Sequence, residues 1–221
     1  MTLDGLSLYY EVSEELYVAT RATTSEMFAS PQPLAQLSSA ALDNSPSLSP
    51  DDLTLYFSST RNGSPQLFRA TRATPTDPFG APTLVPELAS VGVIDAYETR
   101  DEVFYTENLS TIVTIWRATS NFTVVTKVSE LSGPAGIDGW PTLTPDLTTI
   151  YFESFRNGMT SIYMARRGAP GLPFGPVELS PFGFAGAQNA DPEMSRDGRT
   201  FLFSSDHSGN PDLYMMTREC L

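Results

Sequence analysis

Residues 48–72, LSPDDLTLYFSSTRNGSPQLFRATR, decide the fold. The stretch reads as the end of one strand, a tight Pro50-Asp51-Asp52 turn, a strand over 54–58, an Arg61-Asn62-Gly63 hairpin loop and a strand over 66–71. Asp, Asn and Gly are the residues such turns require. Variants of the unit recur five times. With Tyr56 at the centre of its strand, the equivalents are Tyr9, Phe104, Tyr151 and Leu202, at spacings of 47, 48, 47 and 51 residues. A step of twelve links Tyr56 to Phe68, Phe104 to Trp116, Tyr151 to Tyr163 and Leu202 to Tyr214; in the first copy, Tyr9 to Tyr17 is eight. A period of roughly 40–50 residues with several short strands per unit is the signature of a β-propeller blade.

The expectation is an all-β, five-bladed β-propeller of four-stranded antiparallel blades, forming one domain over 1–221. Its repeats lie near 1–40, 41–90, 91–133, 134–183 and 184–221. With strands lettered A (innermost) to D, the A strands are expected to begin at Pro46, Pro141 and Pro192. The first copy lacks most of strand A and the last lacks strand D. The central B strands, Thr54-Leu55-Tyr56-Phe57-Ser58 and Thr149-Ile150-Tyr151-Phe152-Glu153, are apolar on both faces, as a strand between neighbouring blades must be.

Composition agrees. Thirteen Phe, nine Tyr and two Trp can fill the space between sheets, and 18 Pro with 15 Gly suit many turns. No apolar run approaches the length of a membrane span. No signal peptide is visible, and Met1-Thr2-Leu3-Asp4 is expected to enter a blade directly, as it would in a chain already trimmed of a leader. The net charge of −13 repels phosphate backbones and argues against a nucleic-acid partner. Cys220, the single cysteine, has no internal disulfide partner.

Ser49-Pro50-Asp51, Thr144-Pro145-Asp146 and Ser195-Arg196-Asp197-Gly198, each followed by a strand and, in the complete copies, by Arg-Asn-Gly and Leu-Phe or Ile-Tyr, resemble the WD-repeat-like propeller repeat of the bacterial TolB type. The resemblance implies a propeller, mostly periplasmic or extracellular, although a cytoplasmic setting stays open. It does not imply one activity: relatives include protein-binding modules, peptidase lids and polysaccharide lyases.

The repeated residues read first as structure. Asp4, Asp51, Asp146 and Asp197 suit Asx turns between strands A and B. The Arg ending strand C (Arg21, Arg72, Arg166 or Arg167, Arg218) is expected to be an ion-pair partner. His207, the only histidine, takes the place of Arg61 and Arg156 in the B–C hairpin, expected on the face opposite the D–A loops. One histidine leaves no base for most Ser-His-Asp sites.

The D–A loops differ most between copies. Asp43 and Asp138 align thirteen residues before the B-strand aromatic, Asn189 takes their place in the last copy, and Asp95 aligns if its loop is shorter. The expected binding set at the channel mouth is Asp43, Asp95, Tyr97, Asp138, Trp140, Asn189 and Asp191. Asp43, Asp95 and Asp138 would offer oxygens to a hard cation such as calcium; otherwise each Asp caps its own loop. Two function classes follow. One is a non-catalytic module binding a protein or glycan, with Trp140 and Tyr97 stacking on a sugar. The other is a carbohydrate-active enzyme using Asp43, Asp95, Asp138 and Asp191.

Overall fold

The computed structural model describes residues 1–217. The expected salt-bridging Arg218 and unpaired Cys220 lie outside them. The chain is an all-β, five-bladed β-propeller. Blade 1 holds β1 (Ser7–Val12), β2 (Glu15–Thr20) and β3 (Ala29–Pro33). Blade 2 holds β4 (Asp43–Leu48), β5 (Thr54–Ser59), β6 (Gln66–Thr71) and β7 (Thr83–Leu84). Blade 3 holds β8 (Val93–Glu98), β9 (Glu102–Asn108), β10 (Val113–Thr119) and β11 (Val125–Lys127). Blade 4 holds β12 (Asp138–Leu143), β13 (Thr149–Ser154), β14 (Ser161–Arg166) and β15 (Glu178–Leu179). Blade 5 holds β16 (Asn189–Met194), β17 (Thr200–Ser205) and β18 (Asp212–Thr217). Strands pair in chain order, giving three four-stranded and two three-stranded sheets among the described residues. Among the described residues, blade 1 has no strand ahead of β1 and blade 5 none beyond β18.

The described residues fall into two compact units. One is Met1–Glu107 with Ala118–Val125; the other is Asn108–Arg117 with the chain from Thr126 onward. In the first, a core between blades 1 and 2 is built from Leu16, Leu37, Leu48, Leu55, Phe57 and Phe79, among others. In the second, Tyr151, Ile162, Met164, Met194, Phe201 and Phe203 form the core between blades 4 and 5. The repeat aromatics behave as packing residues: Tyr56, Phe68, Phe104, Tyr151 and Tyr163 are buried. Trp116 and Tyr214 are half-buried.

The A–B turns follow the Asx reading. Asp4, Asp51, Asp146 and Asp197 each accept the backbone N–H two residues on and a hydroxyl two residues back. The strand-C arginines correct the ion-pair expectation. Arg21, Arg72 and Arg167 donate Nε–H to the carbonyls of Gly5, Asp52 and Leu147, all at 2.7 Å. Each guanidinium also covers the ring before strand D: Phe28 at 4.3 Å, Phe79 at 4.4 Å and Phe174 at 4.7 Å. A backbone carbonyl and a π face thus hold each guanidinium against its own blade. Arg166 pairs with a carboxylate, Glu178.

Two further expectations are corrected. The A strands of blades 2, 4 and 5 begin three residues before the proline, at Asp43, Asp138 and Asn189. A register shift falls in the same place in each, between Asn44 and Ser47, Gly139 and Thr142, and Ala190 and Glu193. Proline has no N–H for a ladder, and the bulge removes the need for one. The strand therefore runs through Pro46, Pro141 and Pro192. The B–C hairpins also lie at the same end of the blade as the D–A loops. Leu42 N–H donates to Thr60 Oγ1, Phe155 N–H to the Ile137 carbonyl, and Gln188 N–H to Asp206 Oδ1. Antiparallel alternation dictates this, since the chain reverses at each strand.

Candidate functional site

Asp43 and Asp138 are structural pins. The Asp43 side chain is fully buried. Its Oδ1 accepts from Arg61 at 2.7 Å, and its Oδ2 from the Ser39 N–H and Oγ. Arg61 also donates to Ser59 Oγ and the Leu37 carbonyl and lies over Phe57 and Phe68. Blade 4 repeats the arrangement: Asp138 Oδ1 accepts from Arg156 at 2.8 Å and Oδ2 from the Gly133 N–H, while Arg156 reaches Ser154 and the Leu131 carbonyl. Burial alone would favour a protonated Asp43, but hydrogen bonds from Ser59, Arg61 and Ser39 hold its carboxyl below the usual range.

Blade 5 substitutes both partners. Asn189 donates to the carbonyls of Phe184 and Ala187 and accepts from the Phe184 N–H. His207 stacks on Phe184 at 4.1 Å with planes 11° apart. In blade 3, Val93 rather than Asp95 occupies the pin position: Val93 pairs with Glu107 as Asp43 pairs with Ser59. Asp95 sits opposite Thr106, past the bulge. Leu109 takes the place of Arg61. Tyr97 is buried at 3% exposure, with no face open for stacking. The expected calcium ligands do not fit that ion. Asp43 and Asp138 already spend both oxygens on internal donors, and no group of three His, Cys, Asp or Glu side chains converges among the described residues.

The remaining sequence candidates, Trp140 and Asp191, belong to one unit with a group the sequence reading passed over. Both occupy the bulge, together with Ser45 of blade 2, and all three have left-handed backbone, with φ of 50°, 51° and 51°. Left-handed backbone is unfavourable for any residue but glycine and is an outlier for a bulky one such as Trp. The bulge turns these side chains out of the alternation of the strand. Glu153 pairs with Gly139, the neighbour of Trp140. Its Oε2 accepts from the Asp191 N–H at 3.4 Å, and Asp191 Oδ2 accepts from Ser204 Oγ at 2.8 Å. Asp191 is open to solvent, yet protein surrounds it closely enough that desolvation raises its carboxyl pKa; the Ser204 bond only partly opposes this. Desolvation, then the Asp191 charge, pushes Glu153 up to about 8. Copies two, three and five carry Ser58, Thr106 and Ser204 at the Glu153 position, and copy one carries Glu11. A carboxylate where most copies place a small hydroxyl was the available signal.

No family model matches the chain, and no curated protein matches it. Solved structures do. A TolB-like protein of Agrobacterium tumefaciens superposes with a TM-score of 0.65 at 19% identity, covering 98% of this chain and 74% of that one. TolB of Acinetobacter baumannii gives 0.61 at 17% identity, with 100% of this chain against 55% of that one. A thermostable family-43 glycoside hydrolase gives 0.59 at 13% identity, covering 97% and 89%. At such identities the likeness is one of fold. Among the described residues no helix is long and apolar enough to cross a membrane.

Proposed function

We propose that the protein is a non-catalytic binding module that holds a protein or glycan ligand at Trp140, Glu153, Asp191 and Ser204. One observation carries the reading: the bulges of adjacent blades bring the Glu153 and Asp191 carboxyl groups together, Glu153 Oε2 accepting from the Asp191 N–H, beside the Trp140 position. The indole supplies a flat apolar face, and the carboxylates accept from the hydroxyls or amines of a ligand laid across it. The resemblance of the repeat to TolB-type propellers supports a protein partner and a periplasmic or extracellular setting. The test is a glycan array and a peptide array probed with the parent, Trp140→Ala and Asp191→Asn. Each variant, folded by circular dichroism, should lose the signal the parent gives; retained binding in both places the ligand elsewhere.

The pK of Glu153 favours a second reading. A carboxylic acid still protonated near neutral pH, beside a second carboxyl group, is the equipment of a glycosidase general acid. Hydrolysis of aryl glycosides by the parent, lost in Glu153→Gln, would establish the enzyme; no turnover across a panel of sugars retires it.

A further inference from the structure

At the hairpin end of a blade, a residue of the D–A loop meets a residue of the B–C hairpin. In blade 5 the two are Gln188 and Asp206, whose side chains bond each other at 3.2 Å. In blade 2 they are Leu42 and Thr60, with the Leu42 N–H on the Thr60 hydroxyl. Blade 4 places Ile137 and Phe155 there, the Phe155 N–H on the Ile137 carbonyl at 3.1 Å, and Phe155 is 38% exposed. The hairpin of blade 3 extends this surface. Val113 N–H donates to the Gly136 carbonyl, and the Ile112 side chain lies against Gly136. Leu109 stands where blades 2 and 4 have Arg61 and Arg156; it is 54% exposed, and Ile112 is 45% exposed. All four residues belong to the second compact unit. Single exposed apolar side chains are ordinary, but a contiguous group of them marks a surface that is covered in use. The group ends at the carboxyl pair. Glu153 precedes Phe155 by two residues, as its partner Gly139 follows Ile137 by two. At about 3.3 Å per strand residue, the carboxyl position lies roughly 7 Å from that of the ring.

We propose that Leu109, Ile112, Ile137 and Phe155 dock an extended segment of a partner polypeptide, whose apolar side chains cover them and whose lysine or arginine, two residues along, reaches Glu153 and Asp191. The proposal rests on the reading of Trp140, Glu153 and Asp191 as a ligand site, and narrows the ligand to a basic polypeptide. Two features choose the occupant. An aliphatic and aromatic surface is matched by apolar side chains, which a glycan lacks. The carboxyl pair then calls for a cation. Desolvation works against the charge of both groups, and the Asp191 charge works against that of Glu153. Glu193 of β16, reached by Thr142 Oγ1 at 3.4 Å, adds a further acidic group. Arg156, next to Phe155 in the chain, is engaged by Asp138, Ser154 and the Leu131 carbonyl. Among the described residues no cation bonds Glu153 or Asp191, whose contacts are the Asp191 N–H and the Ser204 hydroxyl. A lysine or arginine of the partner supplies the counter-charge. The net charge of −13 turns away nucleic acid and a second copy of this chain. Glu153, pushed up to about 8, keeps its proton at neutral pH and gives it up when the cation arrives.

The probe is a phage-displayed library of short linear peptides, selected on the immobilised full chain. Selection should enrich sequences with a lysine or arginine two residues from a large apolar side chain. The selected peptide, synthesised and titrated calorimetrically, should bind about tenfold more weakly when its basic residue becomes alanine, and likewise to Phe155→Thr, which copies Thr60 of blade 2. Binding at neutral pH should release a proton, read from the heat in buffers of different ionisation enthalpy, and Glu153→Gln should abolish that release. Thermal melting checks the fold of Phe155→Thr; if it fails, Leu109→Arg, which copies Arg61, takes its place. No enrichment, a consensus without a basic residue, or equal affinity of the parent and Phe155→Thr overturns the proposal. A glycan that binds the parent and Phe155→Thr alike, but not Asp191→Asn, also overturns it and leaves the ligand site standing. Peptide binding indifferent to both Trp140→Ala and Asp191→Asn removes that site, and the proposal with it. Concentration-dependent dimerisation lost in Phe155→Thr overturns the proposal as well, since a second copy would then cover the surface.

Discussion

Replacing Glu153 by Gln should make the protein more stable, and only above mildly acidic pH. Glu153 lies on β13 opposite Gly139, its Oε2 held by the Asp191 N–H and the Asp191 carboxylate beside it. Its carboxyl titrates near 4.5 in a solvated chain and near about 8 in the folded one. The folded state therefore keeps a proton that the unfolded state releases. Between those values the folded protein binds more protons, so stability falls as pH rises through the window. Below it both states are protonated and the penalty vanishes; above it the penalty is complete. At 1.36 kcal/mol per pH unit the shift corresponds to about 3–5 kcal/mol. Gln keeps the shape and cannot ionise. Urea denaturation of parent and variant at pH 4.5, 6.5 and 8.5 should show a gap near zero at the first and about 3 kcal/mol or more in favour of Gln at the last. Parallel stability curves across that range would mean that Glu153 ionises freely, and both readings of the site would lose their electrostatic basis.

Asp43→Ala should cost about 3–5 kcal/mol, because it strands the Arg61 guanidinium without its partner; the double change Asp43→Asn, Arg61→His, which copies blade 5, should cost markedly less by denaturant titration. Trp140→Gly should abolish ligand binding while relief of left-handed strain offsets part of the packing lost with the half-buried indole; retained binding by the folded variant would place the ligand elsewhere. Phe79→Ala should cost about 3–5 kcal/mol, the range for a large buried ring, and a melting temperature within a degree of the parent would show that the ring does not pack against Tyr9.

The blade count was legible because the repeat is a metric property: a twelve-residue step between aromatics survives substitution of almost everything between them. The Asx turns were legible because their chemistry is local, closing within three residues. What was lost depends on three-dimensional register. Pro46, Pro141 and Pro192 look like strand starts, since proline cannot join a ladder, and only the bulge shows how the strand passes through them. The aspartates that opened the loops looked like ligands because their partners, Arg61 and Arg156, were assigned to the wrong face. Asp95 resembled Asp43 by its neighbours in sequence but pairs one step past the bulge. Glu153 was read as the end of an apolar strand; its significance lies in Asp191, 38 residues away and adjacent in space.

The pins carry a consequence for how such a chain can change. Asp43 with Arg61, Asp138 with Arg156, Asn189 with His207 and Val93 with Leu109 are replaced as couples, never singly. Each hairpin is thus keyed to the segment that precedes it by eighteen residues or fewer. A hairpin moved alone between copies would set an arginine against a valine, or a buried aspartate against a leucine. A blade moved whole carries lock and key together. Insertions are free only outside the keyed span, which is where the one long interval, 51 residues against 47 or 48, has accumulated its extra length. Duplication, exchange and engineering of this fold should therefore succeed with cuts ahead of the loop and fail with cuts inside the hairpin.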